Sequence, residues 1–322
     1  MEYRSFSDLS RLILNNIDKL PSNIDLVVGI PRSGMLVANY IALIINKPIS
    51  DIDGFINDKI MKCGRTKNIS NNVQIISDCK NVLVVDDSVS TGQSIQECRK
   101  KLQGYSSVNF IYCAPYVISS SRNMVDIYFE IVNQPRVFEW NLFHHVSVLD
   151  KTLFDMDGVL CKDPTLLEND DGENYKQFLL NAKPKIIPSC QIGGIVTSRL
   201  EKYRDETELW LCNNQVKYKE LIMLNATAQE RVQNQLHGKF KAEIYKNSKA
   251  LLFIESSQCQ AEEIYKITNK AVYCLENNTF YNGGKLYELR FEKKAFIKNI
   301  LRKCSFIMWI YKYIQKLLYA NK

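Results

Sequence analysis

Short apolar runs that end in polar, small-residue turns recur along the chain. Residues 24–30 are mostly apolar and lead into Pro31-Arg32-Ser33-Gly34, then into an apolar stretch over 35–45 that reads as a helix. Residues 82–85 are Val-Leu-Val-Val; Asp86 and Asp87 follow, then the small-residue loop Ser88-Val89-Ser90-Thr91-Gly92 and a helix opening near Gln93. An unbroken apolar run is the mark of a strand buried on both faces, as in a parallel sheet. The second half repeats the theme. Lys-Thr-Leu-Phe at 151–154 leads into Asp155-Met156-Asp157-Gly158-Val159-Leu160, Gly194-Ile195-Val196-Thr197-Ser198-Arg199 reads as a strand ending in hydroxyls, and the run 251–255 ends in Glu255 before Ser256 and Ser257. A short helical stretch covers 203–213. Strands alternating with helices predict an α/β chain of two Rossmann-like domains with mainly parallel sheets.

A chain of 322 residues is long enough for two cores. The motifs divide it near residue 146, which predicts domains at 1–146 and 147–290 and a tail at 291–322. The net charge of +7 lies in that tail, where eight Lys/Arg stand against Glu292 alone. Phe296, Ile297, Ile300, Leu301, Cys304, Met308, Tyr311, Ile314 and Leu318 recur there at three- and four-residue steps, a helical stripe bordered by Trp309 and Tyr313. The uncharged run at 304–311 falls far short of the ~20 residues needed to span a bilayer. A basic, aromatic-rich amphipathic helix suits an anionic membrane surface; the alternative is a terminal helix packed on protein. Nucleic acid fits less well, because the basic residues accompany a strong apolar face, and no nucleic-acid partner is expected. Ten cysteines without a CxxC pair, and an N-terminus without a signal-peptide pattern, predict a reduced cytosolic setting. Cys161 reads as a buried thiol. Of the three histidines, the pair His144-His145 lies near the domain junction and reads as linker packing; neither they nor His237 have zinc-ligand company. The oligomeric state is not set by the sequence, and a homo-oligomer stays open.

Ligands of open α/β sheets bind at the carboxyl ends of strands. Backbone N–H groups at a helix start suit a phosphate, and two adjacent carboxylates suit sugar hydroxyls or Mg²⁺. The 82–92 run thus resembles the phosphoribosyl pyrophosphate (PRPP) motif of the type I phosphoribosyltransferases. The resemblance implies that Asp86 and Asp87 take the ribose hydroxyls and that Ser88, Ser90, Thr91 and Gly92 wrap the 5-phosphate. It also implies a pyrophosphate loop at Arg32, Ser33 and Gly34, where a guanidinium can fork onto phosphate oxygens. A polar, basic stretch over 53–77, with Lys59, Lys62, Arg65 and Lys67, matches the family's mobile lid. Ser90 stands where the purine-salvage members carry an Asp that reads the base, which predicts a different acceptor. Asp51 and Asp53 are the candidates for the base that takes the acceptor's proton.

The second half resembles the haloacid dehalogenase (HAD) phosphohydrolases. By that resemblance Asp155 is the nucleophile and Asp157 the general acid/base, Thr197 holds a phosphoryl oxygen, and Asp155, Asp157 and Glu255 hold Mg²⁺. Lys241 fits the lysine of the third motif, with Lys246 and Lys249 as competitors. The fourth motif usually has two acids, and Glu255-Ser256 supplies one. The 203–213 helix is too small for a large cap, so the site should stay open to bulky substrates.

Joined, the two chemistries imply transfer of phosphoribose from PRPP to an acceptor and removal of the 5-phosphate. With a sugar hydroxyl as acceptor the net result is a bare β-ribofuranosyl unit, as in the bacterial enzyme pairs that build O-antigens and capsules. The partners expected on that resemblance are PRPP, a lipid-linked glycan acceptor, and the inner leaflet through residues 291–322, for a cytoplasmic protein peripheral to the inner membrane. A nucleobase phosphoribosyltransferase fused to a nucleotidase, and a PRPP-sensing regulator, are the alternatives.

Overall fold

The computed structural model describes residues 1–61, 76–233 and 236–282. Lys62, Arg65 and Lys67 of the expected lid and the whole expected tail lie outside the described residues. The chain divides into two compact units, Met1–His145 and Val146–Lys322.

The first unit opens with β1 (Glu2–Arg4) and α1 (Phe6–Leu14), whose Ser5 and Asp8 form a reciprocal capping box. Then come β2 (Leu26–Gly29), α2 (Ser33–Ile45), β3 (Ile49–Asp51), α3 (Ile52–Ile56) and β4 (Asn81–Val85). After β5 (Ser88–Val89) and α4 (Gln93–Leu102) the chain runs through β6 (Asn109–Val117), β7 (Ile127–Ile131) and β8 (Arg136–Phe138). The main sheet is parallel in the order β3-β2-β4-β6-β5, with β7 also paired to β6. Leu26, Val28, Val82 and Val84 face one apolar core, and Val27, Leu83 and Val85 face the other. Burial on both faces is why these strands read as unbroken apolar runs. The strand order reverses between β2 and β4, the kind of switch point at which open α/β sheets bind ligands. Ser88 and Val89, expected in a loop, instead pair with Tyr116 and Val117 of β6. The β-branched Val89 is buried there, and only 90–92 remain as a turn.

The second unit starts at α5 (Val146–Leu149) and β9 (Thr152–Phe154), followed by α6 (Glu173–Asn181), β10 (Gly194–Leu200), α7 (Arg204–Asn213) and β11 (Leu221–Leu224). It continues with α8 (Ala228–Gln233), α9 (Leu236–Asn247), β12 (Leu252–Glu255), α10 (Gln258–Thr268), β13 (Ala271–Cys274) and β14 (Thr279–Tyr281). Its sheet runs β11-β10-β9-β12-β13-β14, parallel except at β14. Here the order reverses between β9 and β12, the two strands that end in Asp155 and Glu255. Among the described residues no helix is long and apolar enough to cross a membrane.

Candidate functional site

In the first unit β4 delivers Asp86 and Asp87, both buried, to the switch point. Asp87 is anchored from two other turns: Ser33 Oγ donates to Oδ1 at 2.9 Å, while Trp140 Nε1 and Asn141 Nδ2 donate to Oδ2 at 2.6 and 3.3 Å. Asp86 Oδ1 accepts the Asp87 backbone N–H at 2.9 Å. Burial, with the neighbouring charge of Asp87 adding to it, pushes the Asp86 carboxyl up to about 8. A crowded acidic pair of this kind fits hydroxyl donors or a divalent cation, which would relieve that repulsion, so Mg²⁺ is compatible with Asp86 and Asp87.

The glycine of Pro31-Arg32-Ser33-Gly34 lets the turn after β2 lie against the end of β4. A Cβ on Gly34 would stand 2.7 Å from the Val85 carbonyl oxygen and 3.0 Å from Asp86 Cα. Arg32 is exposed on the same turn. Beyond β5, Ser90 is half-buried and Thr91 exposed, and Gly92 takes the left-handed conformation (φ 77°) that starts α4. Thr91 Oγ1 accepts the Gln93 N–H at 3.4 Å. The free N–H groups of this first helical turn suit an anion. Beneath the turn, buried Arg136 donates to the carbonyls of Val132 and Val89 at 2.9 and 3.2 Å.

Neither candidate base belongs to this group. Asp51 caps α3 by accepting the Gly54 N–H at 2.5 Å, and Asp53 is exposed and paired with Lys101 at 3.3 Å. Sequence reasoning missed Trp140 and Asn141. The signal available was an aromatic-rich segment, Phe138-Glu139-Trp140-Asn141, directly after a strand. Trp140 stacks on Phe138 (centroids 4.9 Å apart) and lies 6.2 Å from Tyr116, so packing fixes its indole before it bonds Asp87.

In the second unit Lys241, itself buried, sits between two buried acids. Its Nζ lies 2.8 Å from Asp155 Oδ2 and 2.8 Å from Glu255 Oε2, and donates to Gln260 Oε1 at 2.9 Å. Burial lowers the Lys241 pKa, but Asp155 and Glu255 outweigh it and raise it, so the ammonium persists. Burial and the charge of Glu255 push the Asp155 carboxyl well above the usual range. Lys246 and Lys249 are exposed. Thr197, buried, accepts the Arg199 N–H at 3.2 Å. Asp157 is met by a guanidinium: Arg199 Nη2 donates to Oδ1 at 2.6 Å, and Nε reaches Oδ1 and Oδ2 at 3.2 and 3.1 Å. Sequence reasoning quoted Arg199 as a strand end and gave it no role.

The three side chains expected to hold a metal, Asp155, Asp157 and Glu255, are each engaged by a protein cation. Asp157 is spent on Arg199. Glu255 accepts from Lys241 through one oxygen and from the Ser256 and Ser257 N–H groups through the other, at 2.9 and 3.2 Å. Ser256, in the place of the second acid, donates its hydroxyl to the Asp157 carbonyl at 3.1 Å. Among the described residues no group of three His, Cys, Asp or Glu side chains could hold a metal ion. Here lies a polar cavity of about 190 Å³, lined among others by Asp155, Tyr175, Thr197, Arg231, His237 and Lys241. Gly158, at φ 74°, lets the turn after β9 cross the turn after β12: a Cβ there would lie 2.5 Å from Ser256 Cβ. Burial, then Arg231 and Lys241, lowers the pKa of His237.

A model of the phosphoribosyl transferase domain family matches residues 3–150. The orotate phosphoribosyltransferase of Staphylothermus marinus is 34% identical over 94 residues, which is 29% of this chain and 41% of that protein. The chain thus spans about two-fifths of that curated relative. Among solved structures, the Helicobacter pylori xanthine-guanine-hypoxanthine phosphoribosyltransferase is 17% identical, with a TM-score of 0.34 over 43% of this chain and 92% of that one. The orotate phosphoribosyltransferase of Aeropyrum pernix is 20% identical, with a TM-score of 0.27 over 39% and 71%. The first unit is a phosphoribosyl transferase domain.

Proposed function

We propose that the chain transfers the 5-phosphoribosyl group of PRPP to a hydroxyl of a glycan and then hydrolyses the 5-phosphate, leaving a β-ribofuranoside for a bacterial surface polysaccharide. The observation that carries this reading is the presence of a buried acidic pair at a strand end in one unit and of a polar, nucleophile-bearing cavity in the other. In the first, Asp87 is preset by Ser33, Trp140 and Asn141 to receive the ribose hydroxyls with Asp86, while Thr91, Gly92 and the start of α4 face the 5-phosphate. Arg32 supplies positive charge for the departing pyrophosphate. Mg²⁺, when bound, neutralises pyrophosphate charge. The acceptor oxygen bonds C1 as the C1–pyrophosphate bond breaks, and attack on the opposite face inverts the centre. In the second unit Asp155, held by Lys241, attacks phosphorus, with Thr197 on a phosphoryl oxygen. The phosphorus–O5 bond breaks as O5 takes a proton by way of Asp157, which Arg199 orients; water then cleaves the aspartyl-phosphate, its proton passing back through Asp157 as inorganic phosphate leaves.

A second reading has one specific observation behind it: the similarity to an orotate phosphoribosyltransferase favours a nucleobase acceptor, with the second unit acting as a nucleotidase. Labelled PRPP with Mg²⁺, offered in parallel to lipid-linked glycans and to a mixture of free bases, separates the two. Label incorporated into glycan supports the proposal, and base-dependent pyrophosphate release overturns it. The basic, apolar-striped residues 291–322 suit a lipid-linked acceptor at the inner leaflet. A chain ending at Arg290 should stop sedimenting with anionic liposomes, and unchanged sedimentation removes the membrane from the reading.

A further inference from the structure

Of the acids that line the second cavity, Asp155 and Asp157 have cationic partners from the protein, while Asp163 has no ion pair among the described residues. Lys241 serves Asp155 and Glu255, and Arg199 serves Asp157. Arg231, from α8, also lines the cavity, and among the described residues it makes no ion pair. Its Nη1 donates to the Ser198 carbonyl at 3.2 Å, one residue past Thr197, and Tyr175 is its other hydrogen-bonding neighbour. Its Nε is buried and has no acceptor. A buried donor left unpaired costs about 1–3 kcal/mol, a cost removed when an acceptor arrives. The nearby His237 has its pKa lowered and so adds no competing charge at neutral pH. A phosphomonoester dianion entering beside Asp155 therefore meets one cation whose charge is not already spent.

From this we infer that Arg231 is the anion-binding residue of the second unit: it takes the phosphoryl oxygens of a phosphomonoester directly, filling the electrostatic role that a divalent cation would have at a three-carboxylate site. The inference deepens the phosphatase reading of this cavity and rests on it for the identity of the ligand. It also assigns substrate selection to α8, a segment with no recognised motif. A tetrahedral dianion should bind more tightly than a carboxylate of similar size, because it brings a second negative charge and a third oxygen, whereas the guanidinium fork itself suits both.

The test measures binding of inorganic phosphate by calorimetry to the full-length protein, in EDTA and in Mg²⁺, together with turnover of ribose 5-phosphate. Phosphate should bind in EDTA. Arg231→Gln should weaken it tenfold or more and raise KM for ribose 5-phosphate by a similar factor with kcat changed less than threefold, and Arg231→Lys should restore part of the loss. Binding that appears only with Mg²⁺, or that Arg231→Gln shifts less than twofold, overturns the inference. The circular dichroism melt of each variant must match the wild type; if Arg231→Gln does not fold, Arg231→Lys carries the comparison, and an unchanged phosphate affinity there counts against the assignment. Should the wild type bind phosphate through Arg231 yet turn over no phosphomonoester, the phosphatase reading fails and the binding assignment stands.

Discussion

Two carboxylates side by side at a strand end do different jobs here because their surroundings differ. Asp87 receives three side-chain donors, while Asp86 receives one backbone N–H and is otherwise surrounded by protein. With its pKa at about 8, Asp86 carries a proton in the folded protein at pH 6 that it would lose when unfolded. The folded state therefore binds more protons between the unfolded value near 4 and about 8, and stability falls as pH rises through that window, by at most ~1.4 kcal/mol per pH unit. Urea midpoints of the ligand-free protein at pH 5.5 and 8.5 should show this decline, and Asp86→Asn should remove most of it. A wild-type midpoint that rises with pH would contradict the assignment. Trp140 is separable from Asp86. Trp140→Phe keeps a ring on Phe138 but deletes the N–H that reaches Asp87; removing one hydrogen bond to a charged group costs about 1.5–3 kcal/mol, which predicts a loss of roughly tenfold or more in kcat/KM for PRPP. If Trp140→Phe and wild type differ by less than twofold, the indole N–H has no positioning role.

At the scale of elements, both sites arise where the strand order reverses, and both depend on turns that approach closely. Gly34→Ala would put a methyl group 2.7 Å from the Val85 carbonyl, so the turn after β2 must move away from β4. We expect a loss of about 1–3 kcal/mol in stability from this overpacking, and a larger fall in PRPP affinity because Ser33 and Asp87 separate. Full PRPP affinity in Gly34→Ala would show that the Ser33–Asp87 bond is dispensable. The doubly buried strands were legible in the sequence because their apolar runs are unbroken: β2, β4, β10 and β12 lie where such runs were noted. The acidic strand ends were legible too, because Asp86 and Asp155 directly follow the apolar runs of β4 and β9 and Glu255 closes that of β12. Ser88-Val89 was not, because two small residues in a polar run carry no strand signal, and only Tyr116 and Val117 on β6 show why they pair. Trp140, Arg199 and Arg231 escaped because their roles depend on what folds opposite them, which neither spacing nor periodicity records. The partners of the expected metal carboxylates escaped on the same point. Carboxylates at the right intervals were visible, but the cations that claim them, Arg199 and Lys241, are set by tertiary structure.

For the molecule as a whole, each unit has its own core and its own sheet, so a lesion confined to one site should leave the chemistry of the other intact. Asp155→Asn keeps the hydrogen-bonding shape of the side chain facing Lys241 while weakening it as a nucleophile. That variant should release pyrophosphate from PRPP at the wild-type rate, within about twofold, and accumulate an acceptor heavier than the normal product by one phosphate group. Asp87→Ala should do the reverse, attaching nothing to the acceptor while hydrolysing a supplied phosphoribosylated acceptor normally. Mass spectrometry of the acceptor after each incubation distinguishes the cases. Bare riboside from Asp155→Asn would mean that the phosphate leaves by another route, and pyrophosphate release that stops in that variant would mean that the two sites are coupled rather than sequential. Mixing the two variants should restore the bare riboside only if the phosphorylated intermediate dissociates. Failure to restore it, with each single activity present, would show that the acceptor passes between the sites of one chain.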